Sequence, residues 1–409
     1  MPSLPEAVDK KYGDPENPVT EVACIALQLK RSKPGRQRLP SVLILADCDI
    51  EEAGDDAELQ KRCDGVRELD IANNKLKHWH EVVKILRHLP ALSFLNLSFN
   101  RFETPLILPD DFQLGTLTRL VLNGTSIPWH ELIQLLQRTP RLEELHVSMN
   151  GYEQLKRSEH KYPTVNRIHF NNNPAKDWQQ IEVLGEMFPR LEALVLAECP
   201  IAELPDDGHY SEYFPQLRYL SLNACKITEW GSVYNINNFP LLSELRLHNC
   251  PLYENYNDSD RRSLTIAAVW RVKRLNGGAL ISPKEREDSE RRFIRYYMQH
   301  EHKPVRYYEL IALHGELYPL VDISLKPTKE VEVKIVYGDI VLTHRFNVYL
   351  KVLDVKKQLE PVVSVVLKSL ELSLKIMALI KANLLCNNLS TYIIHSLLVA
   401  WLLSLSVTL

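Results

Sequence analysis

Two histidines are the side chains best placed for metal or proton chemistry in this 409-residue chain. His146 and His169 occupy the same position in two successive repeats of the pattern described below. That pattern puts them side by side on strands about 4.8 Å apart. Two such imidazoles can share a zinc ion or form a pH-sensitive contact. We favour a third interpretation, in which both are polar contact residues of a protein-binding surface and no metal is bound.

Four of the seven cysteines also recur at one repeat position: Cys48, Cys199, Cys225 and Cys250. A metal site would require the last three thiolates to converge on one ion. Each of these cysteines belongs to its own repeat and is expected to face inward, so we predict a structural role. The odd cysteine count and the absence of any CxxC motif favour a reducing compartment, which here means the cytoplasm.

Signatures of catalysis and of nucleic-acid binding are missing from the sequence. There is no GxxxxGK[ST], GxGxxG, HExxH or GxSxG motif, and no nucleophile–base pair stands out. Lys and Arg total 49 against 52 Asp and Glu, a net charge of −3. This balance argues against a nucleic-acid binder, which would be strongly basic. We therefore predict a protein that is not an enzyme and needs no cofactor.

The elements that position these residues come from an internal repeat. The pattern LxxLxLxx(N/C)xL, seen for example in 217–227, occurs nine times at intervals of 23–26 residues. The copies begin at Pro40, Val66, Leu92, Leu117, Leu142, Val165, Leu191, Leu217 and Leu242. This period is typical of leucine-rich repeats. The predicted fold is an α/β leucine-rich-repeat solenoid, with a curved parallel sheet and helices on its convex side.

Other recurring residues fit the same architecture. Asparagines follow several strands and are expected to satisfy backbone groups at the turn; they are Asn74, Asn100, Asn150 and Asn173. Tryptophans open the amphipathic segments between strands; they are Trp79, Trp129, Trp178 and Trp230. Four tryptophans in one register resemble a ligand-stacking ladder, but we interpret them as core residues beneath the convex helices.

Residues that alternate with the inward leucines should form the concave face, where solenoids bind partners. The candidate binding residues on it are Arg119, His146, Arg167, His169, Tyr219, Glu244, Arg246 and His248. Tyrosine and arginine are the residue types that most often dominate binding energy at interfaces. We therefore expect the main contact over repeats six to nine, with Tyr219 and Arg246 as the leading residues.

The chain divides into five predicted segments. They are an extension over 1–39, the repeat array over 40–260, a cap and linker over 261–327, the start of a ubiquitin-like domain over 328–360, and an apolar tail over 361–409. The cap should contain a helix from Pro283 that carries Phe293, Tyr296 and Tyr297 over the last repeat.

The two C-terminal segments lead to different functional expectations. Residues 331–346 alternate as a hairpin and 352–359 have helical spacing, which is how a β-grasp begins. The tail lacks charged residues from Ala382 onward and approaches the length of a membrane span. We favour an alternative terminus that replaces the rest of the ubiquitin-like domain, and a membrane anchor is the other possibility.

Several stretches resemble one family, the tubulin-specific chaperone cofactor E group, and in particular its E-like branch. They are Lys75–Val82, Asp177–Trp178, Leu275–Gly277 and Glu285–Tyr297. Cofactor E itself carries an N-terminal CAP-Gly domain whose glycine-rich signature is absent here, as it is from the E-like branch.

The resemblance implies a non-enzymatic, cytoplasmic and cytoskeleton-associated protein. It implies binding to α-tubulin or the tubulin dimer, dissociation or destabilisation of that dimer, and lower microtubule stability. Two alternatives remain open: an adaptor for ubiquitin or proteasome machinery, and a tail-anchored protein-binding scaffold.

Overall fold

A computed structural model describes residues 2–12, 39–319, 329–337, 340–351, 353–355 and 357–358. The chain divides into two compact units, Met1–Pro319 and Leu320–Leu409, and each is described by itself. The predicted apolar tail over 361–409 and the basic stretch between Lys30 and Arg38 lie outside the described residues.

The first unit is a leucine-rich-repeat solenoid built on one parallel sheet of ten strands in sequence order. The strands are β1 (Val42–Ile44), β2 (Glu68–Asp70), β3 (Phe94–Asn96), β4 (Arg119–Val121), β5 (Glu144–His146), β6 (Arg167–His169), β7 (Ala193–Val195), β8 (Tyr219–Ser221), β9 (Glu244–Arg246) and β10 (Arg274–Leu275). We call each repeat a rung, numbered by its strand. The middle residue of each of the nine three-residue strands points inward, as Leu220 does with an exposure of 0%, so the predicted inward register is confirmed.

Helices connect the strands on the convex side or cover the ends of the array. They are α1 (Leu4–Tyr12), α2 (Asp56–Arg62), α3 (Trp79–Arg87), α4 (Trp129–Leu136), α5 (Trp178–Met187), α6 (Tyr210–Tyr213), α7 (Trp230–Asn235), α8 (Asp258–Ala268), α9 (Pro283–Met298) and α10 (Val305–His314). Four of them begin at the recurring tryptophans. Trp79 stacks on Phe102 with ring centroids 4.2 Å apart, and Trp178 is almost fully buried. The interpretation of these tryptophans as packing residues is confirmed.

The asparagines and cysteines at the turns form a buried ladder of hydrogen bonds. Asn173 donates from Nδ2 to the carbonyls of Val147 and Phe170, both at 3.0 Å. One rung later Cys199 donates from Sγ to the same Phe170 carbonyl at 3.3 Å. A thiol and an amide therefore fill the same slot, because both can satisfy a carbonyl that the turn leaves unpaired.

An N-terminal helix covers the first rung, which the sequence interpretation of 1–39 did not include. Leu4 and Val8 of α1 are buried against the repeat core. The Tyr12 hydroxyl donates to the Ile44 carbonyl and accepts from the Ile44 N–H, both at 3.1 Å. These bonds occupy backbone groups of the edge strand β1 that would otherwise be open to another chain.

The C-terminal cap begins with one strand more than the nine predicted repeats. β10 pairs with β9 in parallel and ends in a turn at Asn276, where φ is 58°. Arg286 of α9 donates to the carbonyls of Ile266 (2.7 Å), Val269 (3.3 Å) and Val272. The arginine thereby joins α9 to the end of α8 and to the segment between α8 and β10.

Aromatic residues of α9 close the array through helix packing. Phe293 and Tyr297 are buried in a small core with Leu264 of α8 and Leu310 of α10. The helix starts at Pro283, as predicted, and the Ser282 side chain caps it by accepting from the Glu285 N–H. The predicted aromatic cover is therefore present, and it packs on α8 rather than directly on a strand.

The described part of the second unit contains an antiparallel hairpin of β11 (Glu330–Tyr337) and β12 (Ile340–Asn347). The predicted hairpin is thus confirmed, whereas the ubiquitin-like domain remains a prediction. Among the residues described, no helix has both the length and the apolar character needed to cross a membrane.

Candidate functional site

The concave face carries two rows of outward side chains, one on each side of the inward leucines. The first row contains Val42, Glu68, Phe94, Arg119, Glu144, Arg167, Ala193, Tyr219, Glu244 and Arg274. The second contains Ile44, Asp70, Asn96, Val121, His146, His169, Val195, Ser221 and Arg246. Seven predicted site residues lie in these rows, and His248 follows two residues after β9.

The two histidines are neighbours, as the repeat register predicts. His146 pairs with His169 across β5 and β6, and their rings stack with centroids 4.0 Å apart and planes inclined by 4°. The structure adds a third residue that the sequence analysis missed. Glu144 Oε1 lies 3.0 Å from His146 Nε2 and 3.4 Å from His169 Nε2.

Burial determines the protonation of this histidine pair. Removal from water lowers the pKa of His146 below its usual value, although the hydrogen bond to Glu144 opposes the effect. Burial also lowers the pKa of His169, and the neighbouring His146 lowers it further. Both imidazoles are therefore neutral at neutral pH, and each can donate one ring N–H to the shared carboxylate.

The arginines midway along the face are engaged with their neighbours. Arg119 lies 3.2 Å from Glu68 Oε1 and stacks over the Phe94 ring at 4.7 Å. Arg167 Nε lies 3.9 Å from Glu144 Oε1. These contacts compensate the charges within the face, so this part of the surface is mixed rather than strongly basic.

The later rungs present an aromatic residue beside a cation. The guanidinium of Arg246 lies over the Tyr219 ring, 5.8 Å from its centroid. Arg246 is exposed, and its guanidinium also lies beside Gly277. A Cβ atom added to this glycine would be 3.2 Å from Arg246 Nη2. Glu244 instead pairs with Arg274 of β10 at 3.3 Å, a partner that the nine-repeat prediction lacked. Tyr219 and Arg246 are thus brought together, while Glu244 belongs to a separate ion pair.

A groove of about 660 Å³ continues this surface toward the cap. His248, Lys226, Arg261 and Arg262 contribute its polar lining. His248 is exposed, and its backbone N–H donates to Asn223 Oδ1 at 3.0 Å. The predicted residue His248 therefore lies at the boundary between the concave face and this groove.

The cysteines of the ladder have the chemistry of structural residues. Burial raises the pKa of the Cys199 and Cys250 thiols to about 11, and it raises the pKa of Cys225 as well. A thiol with a raised pKa stays protonated at neutral pH. It is then a poor metal ligand, because a metal binds the thiolate. In the described parts of the chain, the residues that converge with donor atoms suited to a metal are Glu144, His146 and His169.

Known proteins resemble this chain over most of its length. A family model described as "FBD-associated F-box protein At5g56370, LRR repeats" matches residues 60–209. The human "Tubulin-specific chaperone cofactor E-like protein" is 38% identical over 335 residues, which cover 80% of this chain and 78% of the relative. The Caenorhabditis elegans protein of the same name is 30% identical over 368 residues, covering 89% and 84%.

A more distant relative carries a related name. The bovine "Tubulin-specific chaperone E" is 32% identical over 252 residues, which cover 60% of this chain and 47% of that protein. The alignments with the two E-like proteins are therefore longer than the alignment with the bovine protein, and they cover a larger share of each relative. The chain belongs to the family of tubulin-specific chaperone cofactor E-like proteins.

Proposed function

We propose that this protein binds tubulin without catalysing a reaction, destabilises or dissociates the tubulin dimer, and so lowers microtubule stability. The names of its relatives support tubulin as the partner. They also support a location in the cytoplasm, associated with the cytoskeleton. The proposed partner is α-tubulin or the tubulin dimer.

The observation that carries the proposal is the pairing of Tyr219 with Arg246 on rungs eight and nine. Both side chains point away from the repeat core, so neither is needed to hold the strands together. An arginine stacked on a tyrosine ring presents a flat apolar surface and five hydrogen-bond donors at one place. These residue types frequently account for most of the binding energy of a protein interface.

Removal of this pair is the test of the proposed contact. The double variant Tyr219→Ala, Arg246→Ala is expected to bind purified tubulin at least about tenfold more weakly, a loss of about 1.4 kcal/mol. Its melting temperature should stay close to that of the parent, because both side chains lie outside the core. Co-sedimentation or an equilibrium binding assay with purified tubulin measures the effect.

A matched control removes an arginine contact that lies outside the concave face. Arg87→Ala with Asp111→Ala deletes an exposed ion pair at the end of α3 and should leave tubulin affinity close to the parent value. If the Tyr219 and Arg246 variant binds tubulin as the parent does, the placement over rungs six to nine is wrong.

The hairpin of β11 and β12 favours a second candidate, an adaptor for ubiquitin or proteasome machinery. A hairpin of this length could begin a ubiquitin-like domain, which such machinery recognises. Pull-downs with the full chain and with a chain lacking 328–409 separate the two functions. Tubulin binding that survives the deletion supports the first proposal, whereas loss of proteasome subunits alone supports the second.

A further inference from the structure

The centre of the concave face holds three donor atoms that meet at one point. The sequence favoured a metal-free interpretation of the two histidines; because the structure adds a carboxylate beside them, we propose instead that Glu144, His146 and His169 form a binding site for one zinc ion, open toward the solvent of the concave face. This site borders the proposed tubulin contact: His169 is on rung six, the first of the rungs over which that contact is expected, whereas the leading contact residues Tyr219 and Arg246 lie on rungs eight and nine.

The separations of the donor atoms suit a tetrahedral ion. Bonds of about 2.0–2.1 Å to zinc place neighbouring donor atoms about 3.4 Å apart. Glu144 Oε1 is 3.0 Å from one histidine Nε2 and 3.4 Å from the other. All three donor atoms lie within 4.8 Å of one another. Because the rings are stacked nearly parallel, both histidine side chains must turn so that their Nε2 lone pairs converge on the ion.

The backbone holds these residues in place before any ion binds. His146 and His169 are directly paired across two strands, and Glu144 lies two residues before His146 on the same face. Sites built on paired strands are more precise than sites built on loops. The two strands are the fifth and sixth of ten, so neighbours on both sides restrain them.

The donor types indicate which ion is suited to the site. Two neutral imidazoles and one carboxylate match the ligand sets of zinc, whereas calcium and magnesium prefer oxygen ligands alone. In the ion-free form one carboxylate oxygen faces both ring nitrogens. With zinc bound, each neutral imidazole would carry its proton on Nδ1 and direct its Nε2 lone pair to the ion, and a fourth position would remain for water.

The neighbouring Arg167 should weaken zinc binding, and its removal therefore provides a further test of the site. Arg167 Nε lies 3.9 Å from the Glu144 oxygen that would bind the metal. The guanidinium competes for this oxygen and repels a second positive charge. Removing it with Arg167→Ala should therefore tighten zinc binding by about threefold, the size expected for an exposed charge pair.

The experiment measures binding of zinc and of cobalt(II), a visible probe of tetrahedral sites, to the full chain after treatment with a chelator. We expect one ion per chain and the intense visible absorption of tetrahedral cobalt. His169→Ala should weaken zinc binding by at least about 100-fold, beyond the loss caused by mutating outer-shell partners. Glu144→Gln, which keeps the shape of the side chain, should also abolish the tetrahedral spectrum.

The chain provides a second stacked histidine pair as a control. His78 and His80 lie with ring centroids 5.3 Å apart, and each is close to a glutamate, Glu103 or Glu81. The variant His78→Ala, His80→Ala should retain the ion and its spectrum. The proposal is overturned if the His146→Ala, His169→Ala variant binds zinc as tightly as the parent, or if Glu144→Gln leaves the cobalt spectrum unchanged.

Discussion

Leu220→Asp is expected to unfold the rungs around β8. Leu220 is 0% exposed and lies between Leu194 and Leu245 in the inward row of the sheet. An aspartate there has no cationic partner and must either bury its charge or take up a proton, and both cost free energy. Uncompensated charges in protein cores destabilise by about 3–5 kcal/mol. Because each rung is stabilised by its neighbours, the loss should spread to rungs seven and nine.

The measurement is a denaturant or thermal unfolding curve of the variant and the parent. Leu241→Asp serves as the control, because it makes the same leucine-to-aspartate change at a position that is 40% exposed. It should change the free energy of unfolding by less than about 0.5 kcal/mol. An unchanged melting temperature for Leu220→Asp would show that the inward register is incorrect.

Periodicity made the core of the fold predictable. A leucine or, in β6, an isoleucine at the centre of each three-residue strand fixes which side chains face inward, because strand residues alternate between two faces. The same register placed His146 beside His169 and placed Tyr219 and Arg246 on the outward rows. Repeat spacing therefore located individual side chains on the candidate surface without any knowledge of their contacts.

Some features that do not recur with the repeat were not predicted from the sequence. The tenth strand, at Arg274–Leu275, contains only one of the recurring leucines and was assigned to the cap. Helix α1 is a nine-residue segment at the terminus, with no repeat to signal its role. Glu144 was not identified from the sequence, and its contact with two imidazoles depends on the direction of its side chain. Rotamers and end contacts are set by packing, which spacing alone does not encode.

Asn173→Ala is the second substitution with a large expected effect. The buried Asn173 side chain accepts from the backbone N–H of Asn150 at 3.0 Å and of Tyr152 at 3.2 Å. It also donates to the carbonyls of Val147 and Phe170. Alanine would leave three of these backbone groups without this partner, since the Phe170 carbonyl still accepts from the Cys199 thiol, and each unsatisfied buried group costs about 1–3 kcal/mol. Allowing for partial relaxation, we expect a loss of about 4 kcal/mol.

The neighbouring rung indicates which residue should restore part of that stability. Cys199 fills the equivalent slot, and its thiol donates to the Phe170 carbonyl. Asn173→Cys should therefore be more stable than Asn173→Ala, but less stable than the parent, because one thiol cannot replace two donors and two accepting contacts of an amide. The exposed Asn238 provides a control, as Asn238→Ala should change stability by less than about 0.5 kcal/mol. Denaturant midpoints of the three variants measure this order. Equal midpoints for the cysteine and alanine variants would contradict the view that hydrogen bonding, rather than side-chain volume, selects the residue at this position of each rung.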